Sequence, residues 1–450
     1  MRILAASSPI YAHTVNAVPF LDGLAEQGEE VHRAVATPFL NMAGPGTIWD
    51  TGSVPPFTPP TGRVSEASRR YAWLLEDARE RAGQVRRVVE EVRPDVVLTD
   101  SLGYAAVLTC EQLGVPWVSF GDGPLHYPDR FTPPFGAGLP FRTPAPWRWR
   151  NAVVQQVSRR VLMAPAQRRY RSLRAELGLG PGRAPVLEAC LSPDLHLHCG
   201  VPELEYPRED LPAHVRFVGA LRPPVPAGWE EPSWWGQLVE GRSGDVVLAT
   251  QGTLRGDVQE VLAPTLEMLR RTGRPGVLAT GAGDPSLLGG PGYVAGADGS
   301  GVAVESFVPY ERVLPHAGVL VTNGGWTGVL LALAHAVPVV QVGRTEEKAD
   351  IGRRVEWAGA GLHLSDARGL DGAVDRILSD PSFRAGARRV AGALARLDPG
   401  REGARLIPRV ASPGAARDGR TIVGRLRTQP EKIRWPGQRR TPSEGGSGDG

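Results

Sequence analysis

Residues 316–333 read HAGVLVTNGGWTGVLLAL and contain the strand-to-helix turn that decides the fold. Residues 318–322 are an apolar run typical of a buried β-strand, and residues 327–336 have the apolar spacing of a helix. The turn between them is Asn-Gly-Gly. Glycine lets the backbone approach a ligand closely, and the free N–H groups at a helix start favour an anion. The stretch therefore predicts an α/β unit whose turn is either a phosphate site or a plain tight turn.

The same alternation of short apolar strands and helices extends over both halves of the chain. We predict strands at residues 2–6, 31–36, 95–99, 117–120, 195–199, 215–218, 245–250, 276–280, 302–307, 318–322 and 338–342. We predict helices at residues 14–27, 65–93, 104–113, 147–177, 257–272, 327–336 and 346–358. Compact apolar strands separated by helices form parallel sheets that are covered on both faces. The sequence therefore predicts an α/β fold with two Rossmann-like, doubly wound parallel-sheet domains that face a central cleft.

Proline marks the division between these two halves. Residues 222–228 read RPPVPAG, and such dense proline favours extended backbone. We therefore predict an N-terminal domain at residues 1–220, a Pro-rich linker at 221–242 and a C-terminal domain at 243–410. The tail at 411–450 loses apolar periodicity, is basic and Gly-rich, and is predicted to be disordered.

Composition excludes several classes of protein. The net charge is only +3, which argues against a nucleic-acid partner, although the basic tail keeps a nucleic-acid binder as a distant alternative. Three cysteines at no metal-like spacing predict neither a disulfide framework nor a zinc site. No apolar run is long enough to span a membrane and none at the N-terminus resembles a signal peptide, so we expect a cytoplasmic protein without integral membrane contact. The Trp- and Arg-rich segment at 147–171 is interpreted as a solvated face, and a weak contact with a membrane surface is left open.

Two polar residues follow predicted strands of the first half. His13 comes after the first strand and leads into the first predicted helix, and Asp100 comes after the strand at 95–99. The carboxyl ends of parallel strands are where ligands bind in open α/β sheets. A neutral imidazole is largely available as a base at neutral pH. Helix capping is the alternative role for both side chains.

The second half resembles a known donor-binding block. Residues 307–309 precede the Asn-Gly-Gly turn, residues 338–340 follow it, and residues 345–348 come next. This ordered series resembles family 1 glycosyltransferases of the GT-B fold, in particular the actinobacterial macrolide and natural-product branch. The resemblance implies an inverting, metal-independent transferase that moves a sugar from a dTDP- or UDP-linked donor to a hydroxyl of a small-molecule natural product. The nucleoside-diphosphate sugar is then a co-substrate, and no cofactor is expected.

The resemblance also implies residue roles. His13 would be the general base and Asp100 would orient it, while the loops at 38–62 and 121–146 would bind the acceptor. The expected donor-binding residues are Gly252, Thr253, Val308, Pro309, Asn323, Gly324, Gly325, Trp326, Thr327, Glu347 and Lys348. Val308 and Pro309 would lie against the base, Asn323 and the turn would contact phosphate, and Glu347 and Lys348 would hold the sugar. The chain departs from the family at Leu331, where a ribose-binding Glu is common.

Two alternatives use the same fold. A catalytically impaired helper protein would bind the nucleotide sugar without turnover, and Leu330, Leu331 and the uncharged Asn323 favour it. A nucleotide-sugar 2-epimerase would need an acidic pair able to move a sugar C–H proton, which the sequence pattern does not reveal. The sequence does not assign an oligomeric state.

Overall fold

A computed structural model describes the fold of most of the chain. It describes residues 1–54, 66–127, 129, 131–182, 184–209, 211–226, 228–242, 244–252, 257–281, 283–295, 301–344, 347–411 and 435. Thr253 and nearly all of the tail predicted to be disordered lie outside these residues. Of that tail only Ala411 and Trp435 are described, and the Trp435 ring lies 6.1 Å from the ring of Phe217.

The first half of the chain forms a seven-stranded parallel sheet. Its strands are β1 (Arg2–Ala6), β2 (Glu30–Val35), β3 (Thr47–Asp50), β4 (Val96–Asp100), β5 (Trp117–Gly121), β6 (His196–Cys199) and β7 (Val215–Gly219). They lie in the order β3-β2-β1-β4-β5-β6-β7. The order reverses direction between β1 and β4, which creates the crevice where a ligand can enter.

The second half forms another seven-stranded sheet. Its strands are β8 (Val246–Thr250), β9 (Gly276–Ala279), β10 (Gly292–Ala295), β11 (Gly301–Glu305), β12 (Ala317–Thr322), β13 (Val339–Val342) and β14 (Gly361–Leu364). Their order is β10-β11-β9-β8-β12-β13-β14, and only the edge pair β10 and β11 is antiparallel. All residues of β8 and β12 are buried, as expected of central strands covered on both faces. The two sheets confirm the predicted fold class.

Helices cover both sheets. They are α1 (Tyr11–Asn16), α2 (Val18–Glu26), α3 (Glu66–Val92), α4 (Tyr104–Leu113), α5 (Ala145–Val157), α6 (Ala164–Glu176), α7 (Trp235–Leu238), α8 (Leu262–Thr272), α9 (Tyr310–Val313), α10 (Trp326–Ala334), α11 (Lys348–Trp357), α12 (Leu370–Ser379), α13 (Pro381–Leu394) and α14 (Pro399–Leu406).

The prediction of one helix at 14–27 was wrong in its start and continuity. The helix begins at Tyr11 and divides at Ala17, because Pro19 cannot donate a helical hydrogen bond. His13 therefore lies inside α1 and not before it.

Two further segments differ from their predictions. The loop predicted at 38–62 contains β3, which pairs with β2 at the sheet edge. Its pattern gave no strand signal, because an exposed edge strand of four residues needs no apolar alternation. The single helix predicted at 147–177 is divided into α5 and α6 by a π-helical segment, Ser158–Leu162. Pro165 at the start of α6 accounts for this division, since proline fits the first turn of a new helix.

Two connections hold the halves together. Within the predicted linker, Trp234 and Trp235 are buried, and the Trp234 indole N–H donates to Glu305 of the second sheet at 2.8 Å. At the other end, α14 returns to the first half and packs on α2 and β7. Gly23 and Gly400 permit this return, because a Cβ on Gly23 would overlap the backbone of Gly400. The carboxyl edges of both sheets consequently border one cleft.

Candidate active site

A large cavity lies between the two sheets. It holds about 1520 Å³ of empty space, including its solvent-open mouth. The first half contributes Ile10, Tyr11, Ala12, His13, Val15, Asn16, Arg70 and Asp122 to its wall, and the second half contributes the segments after β8, β11 and β12 and the start of α11. A cleft at the carboxyl edges of two doubly wound sheets is the expected position for a ligand.

His13 is held by a buried carboxylate. Its Nδ1 lies 3.0 Å from Oδ1 of Asp100, the last residue of β4, whose side chain has no exposed surface. Asp100 also accepts hydrogen bonds from the Ser8 N–H and hydroxyl at 2.6 and 2.8 Å and from the Leu102 N–H at 2.9 Å. These bonds fix the carboxylate, which in turn fixes the imidazole with Nδ1 as its donor. Nε2 has no hydrogen-bond partner among the described residues, and His13 borders the cavity.

A second carboxylate reaches the same nitrogen. Oδ2 of Asp122, which follows β5, lies 3.3 Å from His13 Nδ1, and the Asp122 side chain is only 4% exposed. Burial by itself lowers the pKa of His13, but the charges of Asp122 and Asp100 more than offset it and raise that pKa to about 9. Burial raises the pKa of Asp122 above its usual value. Burial also tends to raise the pKa of Asp100, but the charge of His13 and the hydrogen-bond donors around Asp100 outweigh it, so the pKa of Asp100 is lowered. Sequence reasoning missed Asp122; its place directly after β5 was the available signal.

Asn16 connects this group to the opposite domain. Its Nδ2 donates to Asp122 Oδ2 at 3.1 Å and to the hydroxyl of Thr327, at the start of α10, at 3.0 Å. Because Thr327 accepts from Asn16, its own O–H hydrogen remains available to a ligand in the cavity. Asn16 is 1% exposed, and its Oδ1 has no hydrogen-bond partner among the described residues. The sequence gave no signal for this bridge, since it joins residues 311 positions apart.

The predicted phosphate turn opens onto the cavity. Asn323, Gly325, Trp326 and Thr327 line the wall, and α10 begins at Trp326 without a side-chain cap. Uncapped N–H groups and the positive end of the helix favour an anion there. Asn323 Nδ2 donates to the Gln251 carbonyl at 2.6 Å, which leaves its second amide hydrogen for a ligand.

Two residues of this turn serve the structure more than the cavity surface. Gly324 has φ +95° and lies behind the wall, where a Cβ would come 2.8 Å from the Gln341 side chain. Trp326 is buried, and its indole N–H donates to the Cys199 carbonyl of the first sheet at 2.6 Å. The indole therefore joins the two halves directly beneath the turn.

The remaining predicted donor residues surround the turn. Gly252 lines the cavity with φ +73°, and beside it the Tyr310 hydroxyl donates to Thr250 at 3.0 Å. Val308 and Pro309 form an apolar wall, which Phe307 extends. Leu331 lies on the same cavity surface and presents an apolar side chain there. Thr253 cannot be placed, because it lies outside the described residues.

Glu347 forms an ion pair that the sequence did not predict. The guanidinium of Arg70, on α3 of the first half, lies 3.2 Å from Glu347 Oε2, and both residues line the cavity with Lys348. Burial tends to raise the pKa of Glu347, but Arg70 and Lys348 lower it to about 2. The carboxylate is therefore ionised and can accept hydrogen bonds from hydroxyl groups of a ligand.

A row of contacts beside Glu347 ties α11 to the first half. Asp350 accepts hydrogen bonds from the backbone N–H groups of Gly136 and Gly138, at 2.5 and 2.7 Å. One turn further along α11, the Arg354 guanidinium donates to Glu205 at 2.8 Å, and both side chains are buried. These contacts hold the cavity walls at a defined separation.

The described residues offer neither a metal centre nor a membrane-spanning helix. Within the part of the chain that the structure describes, no group of three His, Cys, Asp or Glu side chains is placed to hold a metal ion. His196 and His198 are both buried, and His196 shares a hydrogen bond of 2.8 Å with Ser119, which fits a structural role. None of the described helices is long and apolar enough to cross a bilayer.

Known proteins with similar sequences are glycosyltransferases. No protein-family profile matches the chain. A 4'-demethylrebeccamycin synthase from Lentzea aerocolonigenes is 32% identical over 413 residues, which cover 86% of this chain and 94% of that protein. UDP-glycosyltransferase 2 from Phaeomoniella chlamydospora is 28% identical and covers 75% of each chain.

Solved structures support the same fold. The glycotransferase of kitacinnamycin superposes with a TM-score of 0.67 at 21% identity, covering 91% of this chain and 99% of that one. The spinosyn rhamnosyltransferase SpnG, solved with thymidine diphosphate, superposes with a TM-score of 0.62 at 20% identity, covering 92% of this chain and 100% of that one. Together with the cleft described above, these similarities establish that the chain belongs to the family 1 glycosyltransferases of the GT-B fold.

Proposed function

We propose that this glycosyltransferase moves a sugar from a nucleoside-diphosphate donor to a hydroxyl of a small-molecule natural product, with inversion at the sugar carbon. The observation that carries the proposal is the placement of a carboxylate-held imidazole, His13, opposite the uncapped start of α10 in one cavity. We further propose residues 1–220 as the acceptor side, 243–410 as the donor side and 221–242 as the linker.

The proposed reaction is a single displacement. Nε2 of His13 removes the acceptor hydroxyl proton as the acceptor oxygen attacks the anomeric carbon from the face opposite the diphosphate. The new C–O bond forms as the bond to the phosphate oxygen breaks, and its electron pair leaves on the diphosphate. Asp100 stabilises the resulting imidazolium. The N–H groups at the start of α10, the Thr327 hydroxyl and Lys348 stabilise the leaving group.

Asp122 is predicted to set the pH dependence of this base. The sequence predicted an imidazole that is largely neutral at pH 7, but the two carboxylates raise the pKa of His13 to about 9, so the imidazole is mostly protonated there. We therefore expect kcat/KM to rise with pH as the imidazole loses its proton. Asp122→Asn removes one of those charges, so the pKa of His13 falls and the rising limb moves to lower pH. The pH profile of kcat/KM measures this shift.

The matched control for this experiment is Asp22→Asn, which removes a charge from α2 away from His13. Its rising limb is expected at the wild-type pH. An Asp122→Asn profile that coincides with the wild-type profile would show that Asp122 does not act on the base.

Among possible donors, we propose a thymidine diphosphate sugar over a uridine diphosphate sugar. Leu331 presents an apolar surface to the cavity, and leucine cannot accept a hydrogen bond from a ribose hydroxyl. A 2'-deoxyribose has one hydroxyl fewer that needs a hydrogen-bond partner, so its binding loses less free energy against this apolar wall. The fold relative SpnG, solved with thymidine diphosphate, supports this choice.

Leu331→Glu is predicted to shift this preference toward the uridine nucleotide. A carboxylate acceptor for the 2'-hydroxyl is worth about 1.5 kcal/mol, so UDP affinity relative to dTDP is expected to rise about tenfold. Calorimetric titration of wild type and variant with both nucleotides measures the ratio, and Leu331→Met, which stays apolar, is the control. An unchanged ratio in Leu331→Glu would mean that residue 331 does not face the ribose.

A further inference from the structure

Residues 141–175 are unusually basic. This segment, which includes α5 and most of α6, holds nine Arg and no Asp or Glu, in a chain whose net charge is only +3. The proposed transfer reaction uses none of these arginines. Such a local excess of one sign of charge is a recognisable footprint of a surface that meets an anionic partner.

The same segment carries an exposed apolar stripe. Trp149, Val153, Val157 and Val161 follow one another at intervals of four residues and are 69%, 57%, 47% and 64% exposed. Residues four apart lie on one face of a helix, so the four side chains form a continuous stripe, which Leu162 extends. Single exposed apolar residues are ordinary, whereas a contiguous stripe marks an interaction surface.

The orientation of α5 is enforced by polar contacts on its opposite side. Asn151 is fully buried, and its Nδ2 donates to the Phe131 carbonyl at 2.7 Å. Gln155, Ser158 and Arg159 line a small cavity beneath the helix. The buried side chain of this helix, Asn151, is thus polar, while Trp149, Val153 and Val157 are exposed, which is the reverse of a helix that covers a core.

Not all nine arginines of this segment are free for a partner. Arg148, Arg159, Arg169 and Arg174 pair with carboxylates, whereas the other five have no ion pair among the described residues. The guanidinium groups of Arg142 and Arg150 lie 4.5 and 4.6 Å from the centre of the Trp147 ring. Arg160, Arg168 and Arg171 are exposed and have no carboxylate within ion-pair distance among the described residues. An apolar stripe with Trp at one end and arginine beside it matches the chemistry of a helix lying in the interface of an anionic bilayer.

We propose that the stripe Trp149, Val153, Val157 and Val161, with its flanking arginines, docks this enzyme on an anionic lipid surface. The stripe would enter the headgroup region while the arginines contact lipid phosphates. The loop that enters α5 also donates to Asp350 through Gly136 and Gly138, so the docked face lies one loop away from the cavity wall. This inference goes beyond the proposed function and does not depend on the identity of the donor or acceptor.

Vesicle cosedimentation of the full chain tests the proposal. Vesicles of phosphatidylcholine alone are compared with vesicles that also contain phosphatidylglycerol, at low and high salt. We expect binding to the anionic vesicles, weakening as salt rises, and little binding to phosphatidylcholine. The triple variant Trp149→Ser, Val153→Asn and Val157→Asn is expected to lose about tenfold or more in affinity.

The chain provides a matched control on another surface. Leu287 and Val294 are 62% and 64% exposed, so Leu287→Asn with Val294→Asn removes exposed apolar side chains away from the stripe and is expected to bind like wild type. Should the triple variant fold poorly, Arg160→Glu with Arg168→Glu tests the charge and is expected to lower binding. Equal binding to both vesicle types, or equal binding by wild type and the stripe variants, would overturn the proposal. So would a wild-type dimer that the triple variant abolishes, because a second copy would then cover the stripe.

Discussion

Replacing His13 with alanine is expected to lower kcat by about 10²- to 10⁴-fold, the usual contribution of a positioned general base. The imidazole is the group in the cavity whose second nitrogen is already held by a carboxylate, Asp100, so its removal leaves the acceptor proton without an acceptor. Donor binding should survive, since the donor-side residues belong to the opposite half. Steady-state kinetics measures the loss, and calorimetric titration with the nucleotide measures the retained affinity.

The control for this variant is His32→Gln. His32 lies on β2, where it contacts Glu30 and Trp49 and not the cavity. We expect wild-type turnover from it. A His13→Ala enzyme with more than about a tenth of wild-type kcat would contradict the assignment of the base.

Removing Glu205 is expected to cost about 3–5 kcal/mol of the free energy of unfolding, because Arg354 would then be buried without its carboxylate. Burial tends to raise the pKa of Glu205, but Arg354 and His198 lower that pKa by more than burial raises it. The net shift of the Glu205 pKa is therefore strongly downward. A carboxyl with a depressed pKa contributes stability above its unfolded pKa and loses it as pH falls. Urea unfolding of Glu205→Ala at neutral and acid pH is the measurement, and the deficit should shrink toward acid.

A paired replacement separates the interaction from the loss of one partner. Glu205→Met with Arg354→Met removes the charges of both partners and is expected to recover part of the loss. Recovery is incomplete because buried Arg208, 3.9 Å from Glu205, also loses that carboxylate. If Glu205→Ala alone lowers the free energy of unfolding by less than about 1 kcal/mol, the ion pair is effectively solvated and not buried.

Local patterns were enough to predict much of the architecture. The apolar run of β12 and the Asn-Gly-Gly sequence after it identified the strand–turn–helix unit, because both signals lie within a few residues of each other. His13 was singled out through its place after β1 and through the family resemblance. Its position inside α1 was missed, because Ile10 precedes the helix without a capping side chain that could mark the start.

Long-range contacts could not be predicted in this way. Arg70 reads as one charge on the solvated face of a long helix, and only the fold brings it to Glu347, 277 residues away. Asp122 stands at the head of a Pro-rich loop, which hid its place at a strand end. The return of α14 to α2 depends on Gly23 and Gly400, and nothing near either glycine in the sequence indicates that the two helices pack there.

The proposed transfer requires that the cleft at the start of α10 bind a nucleoside diphosphate. Thermal unfolding of wild type and Asn323→Ala with increasing dTDP or UDP tests it without any acceptor. A ligand at 100 times its Kd stabilises the folded protein by about 2.7 kcal/mol, so a clear rise in Tm with dTDP, smaller in Asn323→Ala, is the predicted result. No change in Tm with either nucleotide would show that the cleft does not bind a nucleoside diphosphate, and the proposed transfer would then be wrong, because it requires that donor.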